Sequence, residues 1–450
     1  MKMRKAVWII ALLLASAIIT SLSAQSRPAE RQDETIDSKI QAEIIDSVTR
    51  VLNEVYVFPD VAGEMEKHVK GLYEKGEYDS ITSLEQFTRE LTDDLRDICH
   101  DRHLRVGYAP DITMEDIRNE GDTLTDEDRQ KRFERLAREN FGFKEIKILP
   151  GNIGYLKLDG FNDAYYGGST AIAAMNFLAH TDALIIDLRE NGGGSPSMIQ
   201  LISGYFFNEP VHLNSFYIRQ EDTTKQFWTA AHVEGQRMAN TPIYVLTSNY
   251  TFSAAEEFTY NLKNLERATI LGETTGGGAH PVQGEIFPNL KIAMSVPFGR
   301  AINPVTGTNW EGTGVKPHIE CPSDQALDVA RAEALEMMVA KAESDEERGM
   351  LRWDLDILRA QLEPAEVPKS TLQKYAGNYG PRKVRLENGK LYYSREGNPE
   401  RKLIALSEDT FMIEGVDYFK MKFEKNKSGE VKGILGMYKQ GHIDRSPRDK

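Results

Sequence analysis

Two hydrophobic periodicities divide this chain. Between residues 35 and 100 apolar positions recur at helical spacing. Ile44, Ile45, Val48, Val51, Leu52 and Val55 share one face, and Leu84, Phe87, Leu91 and Leu95 form a second set. Thr82 and Glu85, ahead of that second set, read as a capping box. The helix runs out near Cys99 and Leu104-Arg105-Val106 reads as a short strand, so His103 stands at a helix–strand junction. Residues 111–140 are highly charged and weakly helical. From about 150, short apolar runs alternate with helical patterns. Strands are predicted at 153–158, 183–188, 242–247 and 268–271, and helices at roughly 164–180, 197–207 and 254–265. Such alternation indicates parallel strands with helical crossovers. A helical stretch from about Ala326 to Gln361 ends at Pro364. Beyond it the period drops to 2, with turn signals at Asn388-Gly389, Gly397-Asn398-Pro399 and Lys427-Ser428-Gly429. Residues 366–450 therefore read as a small antiparallel β domain.

The chemistry concentrates in residues 242–280. An apolar run (Ile243, Tyr244, Val245, Leu246) breaks at Ser248-Asn249-Tyr250, and a helix pattern (Ala254, Ala255, Phe258, Leu262) starts directly behind Ser253. A hydroxyl at a strand-to-helix turn projects into a cleft, where the first helical N–H groups can bind the oxyanion of an acyl intermediate. The plainer reading is a helix N-cap, a place serine often takes. This segment alone favours the cap.

Four blocks shift that balance: ALIIDLRENGGG (183–194), TSNYTFSAAEEF (247–258), GETTGGGAHP (272–281) and EGTGVKP (311–317). In this order they resemble the tail-specific (C-terminal processing) serine peptidases, with their relatives the tricorn core protease and interphotoreceptor retinoid-binding protein. The resemblance covers most of residues 150–320 and implies an α/β fold with a ββα-spiral core of the Clp protease/crotonase type. Only 49 residues separate His103 from Ile153, too few for the PDZ domain many members carry, which points to the branch without one. In the lysine-dependent members the base stands 25 residues after the serine. Here that position is Gly278, so the lysine dyad is absent.

The tricorn-like solution instead implies His103, in Asp101-Arg102-His103, as general base and Glu311 as the carboxylate that stabilises its imidazolium. A charged Glu311 is then expected to raise the His103 pKa. The oxyanion hole would combine the Ala254 amide with that of Gly193 or Gly194. In tricorn-like members a serine before the histidine bridges it to the glutamate. Arg102 stands there, which puts cleavage competence in doubt. His280 is the rival base, although beside Pro281 it reads more simply as a loop-shaping residue. His103 as a helix-end polar group, Glu311 as a turn carboxylate and Gly276-Gly277-Gly278 as flexible punctuation are the plainer alternatives. No third ligand accompanies His100 and His103 at metal-binding spacing, so neither metal nor cofactor is expected.

With 450 residues, 40% hydrophobic and 28% charged, the chain is globular and too long for one ordinary domain. The expected divisions are 1–24 signal peptide, 30–110 helical domain, 111–325 protease core, 326–365 helical connector and 366–450 β domain. A formal charge of −14 with no basic stripe excludes a nucleic-acid partner. Lys2, Arg4 and Lys5 precede an apolar run from Ala6 to about Ile19 and the small residues Ser21-Leu22-Ser23-Ala24, the pattern of an export signal. The mature chain is then periplasmic or extracellular without a membrane span, the competing reading being an uncleaved anchor. Two cysteines, Cys99 and Cys321, allow one bridge at most. The reading is an exported serine endopeptidase acting on peptides or unstructured protein ends, with self-association left open. Its rivals are a non-catalytic protein binding an apolar ligand or peptide on the same fold, and a cell-envelope interaction protein working through its β domain.

Overall fold

The computed structural model describes residues 33–110 and 125–449, so the segment 1–24 lies outside the described residues. Three helices open the chain: α1 (Ser38–Val55), α2 (Pro59–Glu74) and α3 (Leu84–Cys99). They bury the apolar faces anticipated above, including Ile44, Val48, Leu52, Phe87, Leu91 and Leu95. The cap of α3 is Ser83, which accepts from the Gln86 N–H at 3.0 Å, rather than Thr82. The helix ends on His100 in the left-handed conformation, and β1 (Arg105–Tyr108) follows, with His103 in the turn between them. Beyond the undescribed residues, α4 (Asp126–Arg138) precedes β2 (Phe143–Leu149).

A six-stranded sheet carries the middle of the chain in the order β12-β8-β7-β4-β3-β2. It is built from β3 (Ile153–Leu158), β4 (Ala183–Asp187), β7 (Ile243–Thr247), β8 (Ala268–Gly272) and β12 (Ile319–Glu320) together with β2. The pairs β4–β7, β7–β8 and β8–β12 are parallel, as the alternation of strands and helices predicts. The crossover helices α5 (Ala164–Leu178), α6 (Pro196–Gly204) and α7 (Ala254–Asn264) pack through Met175, Met198 and Phe258 onto Leu184, Ile186 and Val245.

Two three-stranded sheets complete this unit: β1-β10-β9 and β11-β5-β6. They use β5 (His212–Ile218), β6 (Thr223–Trp228), β9 (Val282–Phe287), β10 (Ile292–Pro297) and β11 (Gly299–Ile302). Phe216, Met294, Val296 and Trp310 share one hydrophobic core with the three opening helices. That shared core brings the turn containing His103 to the loops that follow β7 and β8.

A second unit comprises residues 149–153 and 324–450. The helical stretch expected over 326–361 is two helices, α8 (Ala326–Lys341) and α9 (Asp345–Leu362). The break falls at Ser344, which accepts from the Glu347 N–H and starts α9 afresh. A short α10 (Lys369–Tyr375) leads into eight strands from β13 (Gly377–Tyr379) to β20 (Ile443–Pro447), each hydrogen-bonded to the next. Tyr375 stacks on Phe423 at 4.0 Å in its core. Helix α9 belongs to this unit: Ile357 and Ala360 pack with Met412, and Trp353 Nε1 donates to the Asp417 carbonyl at 2.7 Å.

The class is thus mixed α/β, with an N-terminal helical region and a C-terminal antiparallel β sheet. No disulfide joins Cys99 and Cys321. Among the described residues no helix is long and apolar enough to cross a membrane.

Candidate active site

Strand β7 and the chain after it set the position of Ser253. The Ser248 hydroxyl donates to the Arg189 carbonyl at 2.6 Å, and that of Thr251 to the Leu188 carbonyl at 2.8 Å. The turn is thereby tied to the end of β4. Ser253 then takes φ 54° and ψ −121°, a conformation that costs a non-glycine residue about 1–3 kcal/mol. Ordinary N-caps lie in the extended region, as do Ser83, Ser195 and Ser344 at the starts of their helices. Ser253 shares a capping box with Glu256, yet its backbone lies outside the region that an ordinary cap adopts. Its own N–H donates to Glu256 Oε2 at 2.9 Å.

The Gly-rich turn after β4 meets this serine. A Cβ at Gly193 would lie 2.8 Å from Ser253 Cβ and 3.1 Å from the Ala254 nitrogen, and φ there is 114°, so no other residue fits. Asn191 fixes the turn: its Nδ2 donates to the Leu158 carbonyl at 2.8 Å, and its Oδ1 accepts from the Gly193 N–H at 2.9 Å. Of the two expected oxyanion donors in this turn, Gly193 has thus committed its amide. Gly194 and Ala254 line the same cavity as Ser253. That cavity measures about 50 Å³, and Gly278, His280, Glu257, Phe216 and Trp310 also border it.

Both candidate imidazoles come to this place. His103 packs its ring against Phe252 at 4.6 Å, and a Cβ on Gly278 would fall 2.6 Å from His103 Cε1. The imidazole thus stands where a side chain at position 278 would begin. Both ring nitrogens are buried and without a hydrogen-bond partner. Its Nδ1 lies 3.7 Å from Asp101 Oδ1. Burial pushes the His103 pKa down to about 4 despite the Asp101 charge, the reverse of the upward shift expected from Glu311.

His280 donates from Nδ1 to Asp101 Oδ2 at 2.6 Å, and the same nitrogen is 3.6 Å from Glu311 Oε2. Burial lowers its pKa, but the Asp101 hydrogen bond and charge outweigh that and leave it raised. Asp101 is held below the usual carboxylate range because its bond to His280 and both imidazoles overcome burial.

Glu311 is split between two environments. Its Oε2 accepts from the Ala279 N–H at 2.5 Å, while Oε1 is buried and unpartnered. Burial and the neighbouring Asp101 charge push its pKa up to about 7, so it carries a full negative charge only in part at neutral pH. Asp101, His103 and Glu311 each offer one ligand atom, all within 4.8 Å of one another. Among the described residues this is the group whose geometry could hold a metal ion. Arg102 does not bridge His103 and Glu311. Its Nη1 donates to the Gly276 carbonyl at 2.8 Å, and its guanidinium lies over the Phe252 ring.

Two glutamates on α7 escaped the sequence reading. Glu256 accepts from the N–H groups of Ser253, Gly277 and Gly278 and from the Thr275 hydroxyl, clamping the Gly-rich loop to the start of the helix. Burial raises its pKa and those four donors oppose the rise. The Ser253-x-x-Glu256 spacing of a capping box was its available signal. Glu257 lines the cavity, and burial pushes its carboxyl up to about 8. Nothing in its local spacing separates it from an exposed helix glutamate.

Residues 152–321 match peptidase family S41. Over these residues the chain is similar to that family. Residues 36–141 match the N-terminal domain of S41 peptidases in eukaryotic IRBP. The chain is 30% identical over 141 residues to a tail-specific protease of Haemophilus influenzae, a match covering 29% of this chain and 18% of that protein. It thus spans under a fifth of that relative's length. Among solved structures it is similar to mature CPAF, with a TM-score of 0.49 and 13% identity over 68% of this chain and 98% of that one. It is also similar to a putative peptidase from Parabacteroides merdae, with a TM-score of 0.44 and 18% identity over 69% and 98% of the two chains.

Proposed function

We propose that this chain is an exported serine endopeptidase that cuts peptides or unstructured protein ends through an acyl-enzyme on Ser253. The observation that carries the reading is the Ser253 backbone, strained at the start of α7 with the Gly-rich turn against it. Strain of this kind persists only where the surroundings over-determine it, and it clusters at reactive residues. Export rests on the charged and apolar pattern of residues 2–24.

In the proposed reaction neutral His103 takes the Ser253 proton as Oγ attacks the carbonyl carbon. The oxyanion is received by the Ala254 and Gly194 amides, and the imidazolium returns its proton to the leaving amine. Water then enters by the same route and releases the acyl group. Two features support His103 as the base. Its unpartnered ring nitrogens keep a proton acceptor available, and its low pKa keeps that acceptor neutral. It also occupies the space that a base at position 278 would need. Asp101 and Glu311 would stabilise the transient imidazolium.

A second reading has its own observation. His280 lines the cavity and has a carboxylate 2.6 Å from Nδ1, the orienting arrangement of a serine–histidine–aspartate site. Cleavage of unstructured peptides by the wild type and by Ser253→Ala, His103→Ala and His280→Ala tests both. Loss of turnover in Ser253→Ala and His103→Ala, with lesser loss in His280→Ala, supports the first. Peptide binding without turnover, unchanged by Ser253→Ala, makes the chain a binding protein instead.

A further inference from the structure

Three side chains converge at the Gly-rich loop, and two of them carry buried lone pairs that meet no donor. Neither ring nitrogen of His103 has a hydrogen-bond partner, and Glu311 Oε1 has none. The His103 side chain is only 8% exposed. Asp101 is the third, with Oδ1 lying 3.7 Å from His103 Nδ1. One ligand atom from each of Asp101, His103 and Glu311 lies within 4.8 Å of the other two. Buried polar atoms are nearly always paired, so orphans gathered in so small a space call for an explanation.

Each of the three is already oriented. Asp101 Oδ2 accepts from His280 Nδ1 at 2.6 Å, and its Oδ1 from the His103 backbone N–H at 2.9 Å. Glu311 Oε2 accepts from the Ala279 N–H. The His103 ring is packed against Phe252 and the backbone of Gly278. Every carboxylate oxygen has two lone pairs, so these bonds fix the carboxylates and still leave a lone pair for a further ligand.

We propose that Asp101, His103 and Glu311 form a binding site for Zn²⁺ that reversibly silences the peptidase. The inhibitory half rests on the reading of His103 as the base, whereas the site itself does not. A water molecule has two protons to give and would leave one of three acceptors unmet, but a cation meets all three at once. The imidazole selects a first-row ion such as zinc over Mg²⁺ or Ca²⁺, which prefer oxygen alone. Ligand atoms about 2.0–2.1 Å from zinc stand about 3.3 Å apart across a tetrahedral angle. The 3.7 Å between His103 Nδ1 and Asp101 Oδ1 therefore closes with a small shift. Glu311 is the least buried of the three side chains, 18% exposed, and gives the ion its way in. The spacing of His100 and His103 could not reveal this site, because its ligands come from positions 101, 103 and 311.

Silencing follows from the imidazole. A neutral ring has one lone-pair nitrogen and one N–H. Zinc on the lone pair leaves only the N–H, so neither nitrogen can take the Ser253 proton. This is so whichever nitrogen the ion occupies.

Metal-free protein titrated with Zn²⁺ against a chromophoric chelator tests the site. One equivalent should bind, and excess Mg²⁺ or Ca²⁺ should not displace it. Asp101→Asn, His103→Phe and Glu311→Gln should each weaken binding by at least about tenfold, and Ser253→Ala should bind as the wild type does. Glu311→Gln keeps its shape and an acceptor for the Ala279 N–H, so its loss of affinity would not reflect unfolding. Fluorophosphonate labelling of the wild type should fall with the same Zn²⁺ midpoint and return on adding EDTA. No bound equivalent, or an affinity unchanged in all three ligand variants, overturns the site. Zinc bound with the expected ligand dependence but with undiminished labelling overturns the silencing. Zinc bound with that dependence by a protein that the probe never labels, with or without metal, overturns the peptidase reading and leaves the metal site standing.

Discussion

Removal of the Ser253 proton should stay efficient far into acid, because the proposed base is buried. His103 is held at about 4, chiefly by loss of solvation. The groups facing it are Asp101, His280, Arg96 and Arg102, and of these only Asp101 favours the charged imidazole. Glu311 gives little help, since its own carboxyl is pushed to about 7 and is largely protonated in mild acid. At pH 5.5 an imidazole with a midpoint about 4 is roughly 97% neutral, whereas one at 6.5 is roughly 9% neutral. The assay is the second-order rate of inactivation by a fluorophosphonate between pH 4.5 and 8.5. With His103 as base the rate at pH 5.5 should stay within about twofold of the rate at pH 8 and fall only toward pH 4. With His280 as base, whose pKa is raised, the rate at pH 5.5 should be at least about tenfold lower. A midpoint at or above 6.5 refutes the role given to His103.

The same burial has a stability consequence. The folded pKa of His103 lies below its unfolded value, so the unfolded chain binds the extra proton between those limits. His103 therefore contributes stability above pH 6.5 that is lost as pH falls through about 4. The loss is about 3 kcal/mol, and urea midpoints should fall over that window by less in His103→Phe than in the wild type. Ser253→Gly relieves the positive φ and should be more stable than Ser253→Ala by about 1 kcal/mol in urea titrations, both being inactive. Equal stability would show that the turn is unstrained. Gly278→Ala drives a Cβ into Phe252 Cζ and places it 2.6 Å from His103 Cε1. It should destabilise the fold by about 2 kcal/mol or more and lower probe labelling with it, and wild-type labelling and melting would contradict the packing of His103 on Gly278.

Much of the fold was legible because its signals are local. The strand at 153–158 and the helix starting at 254 fall where the periodicity put them, and the faces of Ser38–Val55 and Leu84–Cys99 are buried as their spacing required. The hairpins of β5 with β6 and β9 with β10 were missed, since their burial patterns alternate poorly and their pairing depends on tertiary partners. The break between α8 and α9 hid inside one continuous helical pattern until Ser344 capped the second helix.

At the site, motif spacing named Ser253, His103, Glu311 and His280. It could not reveal that Asp101 pairs with His280, 179 residues away in the chain. Nor could it give the sign of the His103 shift, which burial decides after folding. Arg102 was legible only as a departure. Its bond to the Gly276 carbonyl makes it a strut for the Gly-rich loop.

The central claim is that Ser253 is an activated nucleophile. Incubating the protein with a fluorophosphonate and mapping the adduct by peptide mass spectrometry tests it directly. The account predicts one adduct, on Ser253, formed by the native protein and lost on denaturation and in Ser253→Ala. An unlabelled native protein, or undiminished labelling of Ser253→Ala, would contradict it.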